Sequence, residues 1–473
     1  MRVKRLWIQK YQKYYDQEII FDDFSGNSRL QKEIFGNMNI LLFSGENGAG
    51  KTTILSFISY IFRYIQRYRE RMVSDYIISY DIEMENKVAS ITLKKQKTDI
   101  YIEIDEELYY IKEYKIGHDR GYYQNPNIEK VRQVAYDEIK KFLPTKVYVL
   151  GFDNAYKRLS YSYNYVGDRL VEYRDISVSY DTTSRGNNIS AGIANIYYKI
   201  SNNTQLRKML KSWGLELSGY VDIYVNDSPY TVIENKEEMD GLLAFREKYR
   251  IKDPYIEGKS LYYKSEIEKY LENTDSEYND RFMIEDYLKT KKRYDILAEL
   301  INKRIIYINE FYINKGERII SIKDMSTGEK AFLFNLFAVC SNLKENSIII
   351  WEEPETHLNM KWSKNLIPLL VELAQEKNIQ WLLSSHSAYM IKNLFQNQII
   401  RLYGMDLKRP DFNTFLANDT EIYIRLFDDE ENNPFEKKVI KYIENGSKNI
   451  KSDTLDALGE SYLKFMIYKS LVN

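Results

Sequence analysis

This 473-residue chain has only one cysteine, no long apolar run and no excess of charge of one sign. The single cysteine, Cys340, excludes a disulfide within the chain and a zinc site built from several cysteines. No apolar run approaches the roughly 18 residues that a membrane-spanning helix needs. The first residues are basic but lack the apolar stretch of a signal peptide, so we expect a cytoplasmic protein with no membrane partner.

The charge balance excludes a globally basic nucleic-acid-binding protein. The chain has 68 basic and 69 acidic side chains, for a net charge of -1. Any contact with DNA must therefore come from a local patch. Apolar residues make up 44% of the chain, which is enough for a sizeable core and excludes wholesale disorder.

The hydrophobic pattern switches between strand and helix spacing along the chain. The elements predicted before residue 151 are strands 2–10, 18–22 and 39–44, helix 51–68, a hairpin region at 77–115, helix 128–143 and strand 146–150. After residue 316, strands and helices alternate, which indicates a largely parallel sheet covered by helices. These elements are strand 318–323, helix 328–342, strand 347–351, helix 361–376 and strand 379–384.

The stretch between these two regions interrupts the regular order. It contains a predicted hairpin at 219–233 and helices at 262–272 and 283–310. We therefore predict an α/β protein with a mixed, mainly parallel sheet flanked by helices, an antiparallel β subdomain and a mainly helical insert. The predicted parts are 1–150 and 317–400 as two halves of one domain, 151–316 as the insert, and 401–473 as a tail that packs on that domain.

A phosphate-binding loop is the strongest motif. Residues 45–53 read GENGAGKTT and satisfy the pattern G-x-x-x-x-G-K-[ST] between an apolar strand and an amphipathic helix. Glycines let consecutive backbone N–H groups point at one anion, and the helix adds its positive N-terminal end. We expect Lys51 to reach the β- and γ-phosphates and the Thr52 hydroxyl to bind Mg²⁺.

A pair of carboxylates ends the apolar segment 348–353, IIIWEE. Glu352 lies where a metal-associated acid belongs, and Glu353 lies where a general base for an attacking water belongs. A solvated acidic turn after a buried strand is the alternative interpretation. The phosphate loop elsewhere in the chain favours the functional one.

Two weaker motifs follow strands. In MSTGEK (325–330), Ser326, Thr327 and Gly328 offer a hydroxyl and backbone N–H groups at a helix start, although Ser326 and Glu329 also form an ordinary capping-box pattern. His386 follows a predicted buried strand and is a candidate for contacting a γ-phosphate or orienting water. His118 and His357 are interpreted as surface or turn residues.

Taken in order, GENGAGKTT, MSTGEK, IIIWEEPETHL and LLSSHS resemble the Walker A, signature, Walker B with D-loop, and H-switch motifs of ABC-type ATPases. The Ser-Thr-Gly-Glu signature, about 270 residues after Lys51, is similar to the SMC-like and OLD-like branch rather than to transporter subunits. Stand-alone ATPases of this branch occur in bacterial anti-phage defence systems such as Septu, PARIS and retrons. The resemblance covers residues 1–150 and 317–400.

The resemblance implies an ABC-ATPase head that binds ATP and Mg²⁺ and hydrolyses ATP, with slow turnover, in a head-to-tail homodimer or a higher oligomer. The implied catalytic residues are Lys51, Glu353 and His386, and the implied metal ligands are Thr52 and Glu352. The implied nucleotide-binding residues are Gly45, Asn47, Gly48, Gly50, Lys51, Thr52 and Thr53 of one copy, with Ser326, Thr327, Gly328 and Glu329 of the other.

Three positions depart from the family pattern. Glu352 replaces the usual Walker B aspartate and is one methylene longer, which predicts altered metal binding and slower turnover. No glutamine follows the strand at 146–150, and Asp153 and Asn154 are the nearest substitutes for it. The D-loop reads Leu-Asn-Met at 358–360 instead of Leu-His-Pro.

Three functions fit this pattern. The first is a sensor or scaffold ATPase of an anti-phage complex that controls a nuclease or toxin on a separate chain. The second is a DNA-repair or chromosome-maintenance ATPase, for which DNA is a candidate partner. The third is a nucleotide-gated scaffold that barely hydrolyses ATP. Basic clusters that could bind DNA, or form solvated helix faces, are Arg63, Arg67, Arg69 and Arg71, and Lys289, Lys291, Lys292 and Arg293.

Overall fold

We describe the protein from a computed structural model. The structure describes residues 1–473 except 22–28, 67–68, 73, 86, 116–120, 129, 151–171, 176–185, 226–280, 303–305, 317, 342, 357, 405, 428–437, 442–463, 466–467 and 470–473. The chain divides into two compact units, Met1–Asp419 and Thr420–Asn473. The larger unit carries every predicted motif.

The strands of the described residues are numbered in chain order. They are β1 (Arg2–Tyr11), β2 (Tyr14–Ile20), β3 (Asn39–Ser44), β4 (Tyr76–Met84), β5 (Lys87–Gln96), β6 (Asp99–Ile104), β7 (Glu107–Ile111), β8 (Glu113–Lys115), β9 (Gly121–Tyr123), β10 (Arg132–Val134), β11 (Lys146–Leu150), β12 (Glu172–Asp175), β13 (Glu216–Val225), β14 (Arg281–Met283), β15 (Ile306–Lys315), β16 (Arg318–Ser321), β17 (Ile348–Glu352), β18 (Gln380–Ser385), β19 (Ile399–Tyr403) and β20 (Asp406–Lys408).

The α-helices of the same residues are also numbered in chain order. They are α1 (Arg29–Phe35), α2 (Lys51–Arg63), α3 (Tyr136–Ile139), α4 (Gly186–Asn202), α5 (Thr204–Ser212), α6 (Ile284–Tyr287), α7 (Lys291–Asn302), α8 (Thr327–Ser341), α9 (Met360–Ala374), α10 (Ala388–Ile391) and α11 (Asp419–Phe427).

A mixed, mainly parallel sheet forms the centre of the larger unit. Its strands lie in the order β12-β11-β17-β18-β3-β19-β20, and every pair is parallel except β19 with β20. The central strands are short apolar runs buried on both faces, as is usual for parallel sheets. Because β3, β17 and β18 are parallel neighbours, the residues that follow them meet at one edge. The predicted fold class is confirmed.

An antiparallel sheet lies on the other side of α2. In the described residues its order is β10-β7-β6-β5-β4-β1-β2, antiparallel except for β10 with β7. Helix α2 is buried on nearly all sides, and one apolar cluster joins it to both sheets. Leu6 and Ile78 represent the antiparallel sheet in this cluster, and Ile350 represents the parallel sheet. Burial of this helix therefore fixes where the phosphate loop before it lies.

The described part of the insert contains helices and a third sheet, antiparallel in the order β14-β13-β15-β16. Helix α4 packs very closely on α8, since a Cβ added at Gly192 would lie 1.9 Å from the Phe337 carbonyl oxygen. Strand β16, which follows the insert and pairs with its strand β15, leads through a short 3-10 turn toward α8, so the third sheet positions the start of that helix. The bounds of the four predicted parts remain a prediction.

Three element predictions were wrong. The helix predicted at 128–143 is strand β10 followed by the short α3 and a 3-10 turn. The helix predicted at 283–310 is helices α6 and α7 followed by the first half of β15. Helix α2 ends at Arg63 rather than at residue 68. The turn of the predicted hairpin at 219–233 and the helix at 262–272 lie outside the described residues. No helix among the described residues is long and apolar enough to cross a membrane.

Candidate nucleotide-binding site

The phosphate loop leaves β3 at Gly45 and enters α2 at Lys51. Gly45, Gly48 and Gly50 have φ values of +153°, +81° and +99°, in the region that favours glycine. A Cβ at Gly45 would lie 2.5 Å from the Leu402 carbonyl oxygen of β19. The loop therefore requires glycine both for its backbone turn and for its close approach to a neighbouring strand.

Replacing Gly45 by alanine should destabilise the protein more than the same change at Gly48. Both substitutions impose a strained φ, which costs about 1 kcal/mol. Only Gly45→Ala adds a clash with backbone, whereas nothing lies within 4 Å of a Cβ at Gly48. We expect a total cost of about 3 kcal/mol for Gly45→Ala. Urea denaturation of both variants checks this, and equal losses of unfolding free energy would contradict it.

The Lys51 side chain lies in the loop that it follows. It is 6% exposed, and its Nζ donates to the carbonyl oxygens of Gly45 at 2.7 Å and Glu46 at 3.1 Å. Burial lowers the pKa of Lys51, while the nearby carboxylates, with Glu353 first, act in the opposite direction. In the described residues, the hydrogen bonds of this buried ammonium go to carbonyl oxygens, which an anionic partner can replace.

The turn between β1 and β2 also contacts the loop. Lys13 Nζ donates to the Ala49 carbonyl and, at 3.3 Å, to the Gly404 carbonyl. Tyr14 donates its hydroxyl to the Gly50 carbonyl at 3.2 Å. The hydroxyl of Thr53 donates to Gln12 Oε1 at 2.9 Å, and the nucleotide-binding role of Thr53 remains a prediction. The hairpin thus contacts both the phosphate loop and the first turn of α2.

The two predicted carboxylates, Glu352 and Glu353, lie at the end of the buried strand β17. Glu352 is the last residue of β17 and pairs in register with Ser384 of β18. Glu353 follows with φ +42°, an uncommon conformation for a residue with a side chain. Its backbone N–H donates to Ser384, both to the carbonyl at 3.0 Å and to Oγ at 3.2 Å. These bonds hold a strained turn, which is typical of a functional site.

Glu353 lies between the Lys51 ammonium and the His386 imidazole. Its Oε1 is 3.9 Å from Lys51 Nζ and 3.4 Å from His386 Nδ1. The hydrogen bond with His386 lowers the pKa of Glu353, and the same bond raises the pKa of His386. Three residues that are distant in sequence therefore meet at the edge where β3, β17 and β18 end, as the motifs predicted.

Burial, together with the Glu353 charge, raises the pKa of Glu352 to about 7 from an ordinary value of 4.5. The metal-free folded protein therefore keeps this proton over a pH range in which the unfolded chain has lost it. The titration of Glu352 should therefore lower the unfolding free energy as pH rises from 4.5 to about 7, by roughly 3 kcal/mol.

The variant Glu352→Gln should lack this decline, since its side chain does not titrate. The measurement is the unfolding free energy from urea titrations at several pH values, in EDTA, for wild type and variant. Parallel curves for the two proteins between pH 4.5 and 7 would show that Glu352 is not held protonated by burial.

The predicted signature residues, 326–329, lie at the start of α8 and not in the phosphate loop or at the end of β17. Ser326 is exposed, its N–H and hydroxyl donate to Glu329 Oε2 at 3.0 and 2.9 Å, and Lys315 binds Glu329 Oε1 at 3.2 Å. The predicted capping box is therefore present. The hydrogen bonds found for Ser326 and Glu329 in the described residues stay within this group and do not reach the phosphate loop or Glu353. Of Thr327, only the backbone is described, and Gly328 is half-buried beside it.

Other predictions had mixed outcomes. Asn47 lies exposed in the loop and Thr52 is half-buried at the start of α2, and their roles remain predictions. Asp153, Asn154, His118 and His357 lie outside the described residues. Arg69 was wrongly assigned to a surface patch, since it is 1% exposed and donates to the Ile65 and Lys112 carbonyls.

Sequence reasoning also missed two residues. The hairpin residue Lys13 contacts the loop from 36 positions away, and nothing in its local pattern signals this. Glu355, in the segment after the predicted strand, has a side chain that is only 8% exposed. The feature of the sequence that could have indicated that Glu355 lies at the site is its position two residues after Glu353.

A glycine-rich loop joins a strand of the parallel sheet to a buried helix, and two carboxylates lie at the same edge of that sheet. This arrangement defines a P-loop-type α/β protein. Residues 40–392 match the family described as "AAA domain, putative AbiEii toxin, Type IV TA system". Because this match covers well over half of the chain, the protein belongs to that AAA domain family. No curated protein matches the sequence.

Solved structures of SMC heads are similar at low identity. The SMC head domain with an extended coiled coil bound to the C-terminal domain of ScpA, from Pyrococcus furiosus, is 12% identical, with 86% of this chain and 95% of that chain covered and a TM-score of 0.38. The SMC head domain from Thermotoga maritima is 10% identical, with 87% and 100% covered and a TM-score of 0.36. An SMC head bound to the C-terminal winged-helix domain of ScpA is 12% identical, with 85% and 93% covered and a TM-score of 0.34. These scores indicate a loose likeness.

Proposed function

We propose that this protein binds ATP with Mg²⁺ and hydrolyses it. The observation that carries the proposal is the position of the Glu353 carboxylate, 3.9 Å from Lys51 and 3.4 Å from His386, at the end of a buried strand beside the phosphate loop. A nucleotide-binding lysine, a carboxylate and an imidazole at one sheet edge are the groups that phosphoryl transfer to water needs.

The residues of the loop fit a triphosphate. Gly45, Gly48 and Gly50 all have positive φ values, so the loop backbone can turn its N–H groups toward one anion. Lys51 would exchange its two carbonyl acceptors for phosphate oxygens, which hold its charge better. In this proposal the ammonium is already in place, and binding needs only a small rotation of its side chain.

The hydroxyl of Thr52 and the carboxylate of Glu352 are hard oxygen donors, suited to Mg²⁺. Within the described residues no group of three or more His, Cys, Asp and Glu side chains could hold a metal alone. This fits an ion that is bound by one or two side chains together with phosphate oxygens. When bound, Mg²⁺ would neutralise phosphate charge, and Glu352 would lose the proton that burial favours.

Glu353 would accept the proton of the attacking water. Its contact with His386 keeps it ionised at neutral pH, which a base requires. The same lowered pKa makes it a weaker base, so we expect slow turnover. His386 would orient the water or contact the γ-phosphate once nucleotide is bound.

A second copy of the chain would complete the site. Ser326 is exposed, and among the described residues its N–H and hydroxyl donate to Glu329. Its hydroxyl and the N–H groups of α8 are therefore available to a neighbouring subunit's nucleotide after Glu329 moves aside. The chain has one of each motif, so a head-to-tail dimer supplies two complete sites. Nucleotide contacts that exist only in the closed dimer would shift the population towards it.

We further propose that this switch controls a separate effector, a nuclease or toxin, in anti-phage defence. The family description, which names a toxin of a toxin–antitoxin system, supports this role. A DNA-repair role is the alternative, favoured by the exposed Lys289, Lys291 and Lys292 near the start of α7.

Expression of the chain with its chromosomal neighbours, followed by affinity purification in ATP and in ADP, tests the proposed role. A nuclease or toxin that copurifies only in one nucleotide state supports effector control. DNA alone, lost when the three lysines are changed to glutamate, supports the repair alternative. A purified protein with neither bound partner nor ATP turnover would contradict both.

A further inference from the structure

One buried carboxylate beside the site has no role so far. Glu355 is 8% exposed and lies two residues after Glu353, beyond the end of β17. Its Oε1 accepts two hydrogen bonds, whereas its Oε2 is buried without a hydrogen-bond partner in the described residues. A buried carboxylate that is only partly satisfied costs folding free energy, so stability alone does not explain its presence.

The bonds of Oε1 run to the turn that follows the neighbouring strand β18. The Ser385 hydroxyl and the His386 backbone N–H both donate to it, the latter at 3.3 Å. The Ser385 hydroxyl oxygen also accepts from the Ser387 N–H at 3.0 Å. Glu355 therefore fixes the backbone on both sides of His386.

The imidazole itself has little else to hold it. The His386 side chain is 51% exposed, and its contact with Glu353 spans 3.4 Å from Nδ1 to Oε1. A half-exposed side chain follows its backbone, so the turn sets where Nδ1 lies. Glu353 is anchored independently, by two bonds from its own N–H to Ser384.

We propose that Glu355 is a positioning residue that holds the turn 385–387 so that His386 stays in contact with Glu353. This deepens the proposed ATPase function and rests on it. Glu355 joins the turn after β17 to the turn after β18, and so couples the two strands that carry the general base and its imidazole partner. A carboxylate in this position acts through hydrogen bonds of one oxygen, and a glutamine carbonyl supplies the same acceptor.

The test compares Glu355→Ala, Glu355→Gln and Ser385→Ala with wild type and with the exposed control Glu33→Ala. In Glu355→Ala we expect kcat for ATP to fall by about tenfold to 100-fold with KM changed less than about twofold, because the phosphate loop is untouched. Glu355→Gln should keep kcat within about threefold of wild type. Ser385→Ala, a smaller change in case Glu355→Ala fails to fold, should lower kcat in the same way.

A second readout does not need turnover. The chain has three histidines, so ¹³C-histidine NMR with a His386→Gln reference assigns the His386 resonance. We expect this resonance to move in Glu355→Ala and Ser385→Ala and to stay in Glu355→Gln and Glu33→Ala. An unmoved resonance in Glu355→Ala, or equal loss of kcat in the alanine and glutamine variants, would overturn the proposal. Absence of turnover in wild type would instead overturn the ATPase function and leave the NMR result to decide on Glu355.

Discussion

Replacing Glu353 by glutamine should lower ATP turnover by about 10²-fold to 10⁴-fold, the range by which a general base contributes. Glutamine keeps the size of the side chain and can still lie near His386, but it cannot accept the proton of water. Nucleotide affinity should stay within about threefold of wild type, since Glu353 lies 3.9 Å from Lys51 and does not belong to the phosphate loop. Phosphate release at saturating ATP, together with equilibrium binding, measures both effects.

The matched control is Glu33→Gln, an exposed glutamate on α1. It removes the same charge at a distance from the strand edge and should leave turnover unchanged. If Glu353→Gln retained wild-type turnover, another group would have to activate the water, and the assignment of the β17 carboxylates would be wrong.

Replacing Lys51 by alanine should lower kcat/KM for ATP by about 10²-fold to 10³-fold, the loss seen when one donor to a developing charge is removed. The effect should include ATP affinity, because the ammonium is the charged group that lies within the loop. Lys208→Ala on α5 is the control, since Lys208 is an exposed lysine away from the loop. Titration with ATP, followed by turnover at several concentrations, separates binding from chemistry.

The free energy of unfolding of Lys51→Ala should be no lower than that of the control Lys208→Ala. Burial lowers the pKa of Lys51, so its removal should leave stability unchanged or raised. A strongly destabilised Lys51→Ala, with ATP affinity lost only in proportion to folding, would show that Lys51 is structural.

The sequence predicts the phosphate loop and the central sheet because their signals are local. Gly45, Gly50 and Lys51 lie within seven consecutive residues, and the strands around them are continuous apolar runs. The meeting of Glu353 with His386 was also predictable, since parallel neighbouring strands end at the same edge. Domain boundaries and the dimer are relations between distant surfaces, and the sequence pattern does not contain them.

The failures have physical causes of the same kind. Segment 283–310 has helical amphipathicity in its first half, but Ile306 begins β15, where pairing with β13 over several residues decides the structure. Lys13 and Glu355 look like solvated charges locally. Each is placed by partners in distant segments, namely Ala49 for Lys13 and Ser385 for Glu355.

Of the three positions that depart from the family pattern, Glu352 is the one whose chemical effect is clearest. A buried carboxyl with a pKa of about 7 is half protonated near neutrality before metal binds. Mg²⁺ must compete with that proton, so turnover should rise with pH through this range while Glu353 stays ionised. Glu352→Asp, which shortens the side chain by one methylene, would report whether its length limits the rate.

Subunit complementation tests most directly whether nucleotide held by Lys51 of one copy is completed by Ser326 of another. Lys51→Ala and Ser326→Arg should each be inactive, while an equimolar mixture should recover about a quarter of wild-type turnover. If the copies pair at random, about half of the dimers in the mixture contain one copy of each variant. In such a head-to-tail heterodimer, one of the two sites is intact. If mass spectrometry shows that heterodimers are present and the mixture is as inactive as its components, the shared site is contradicted.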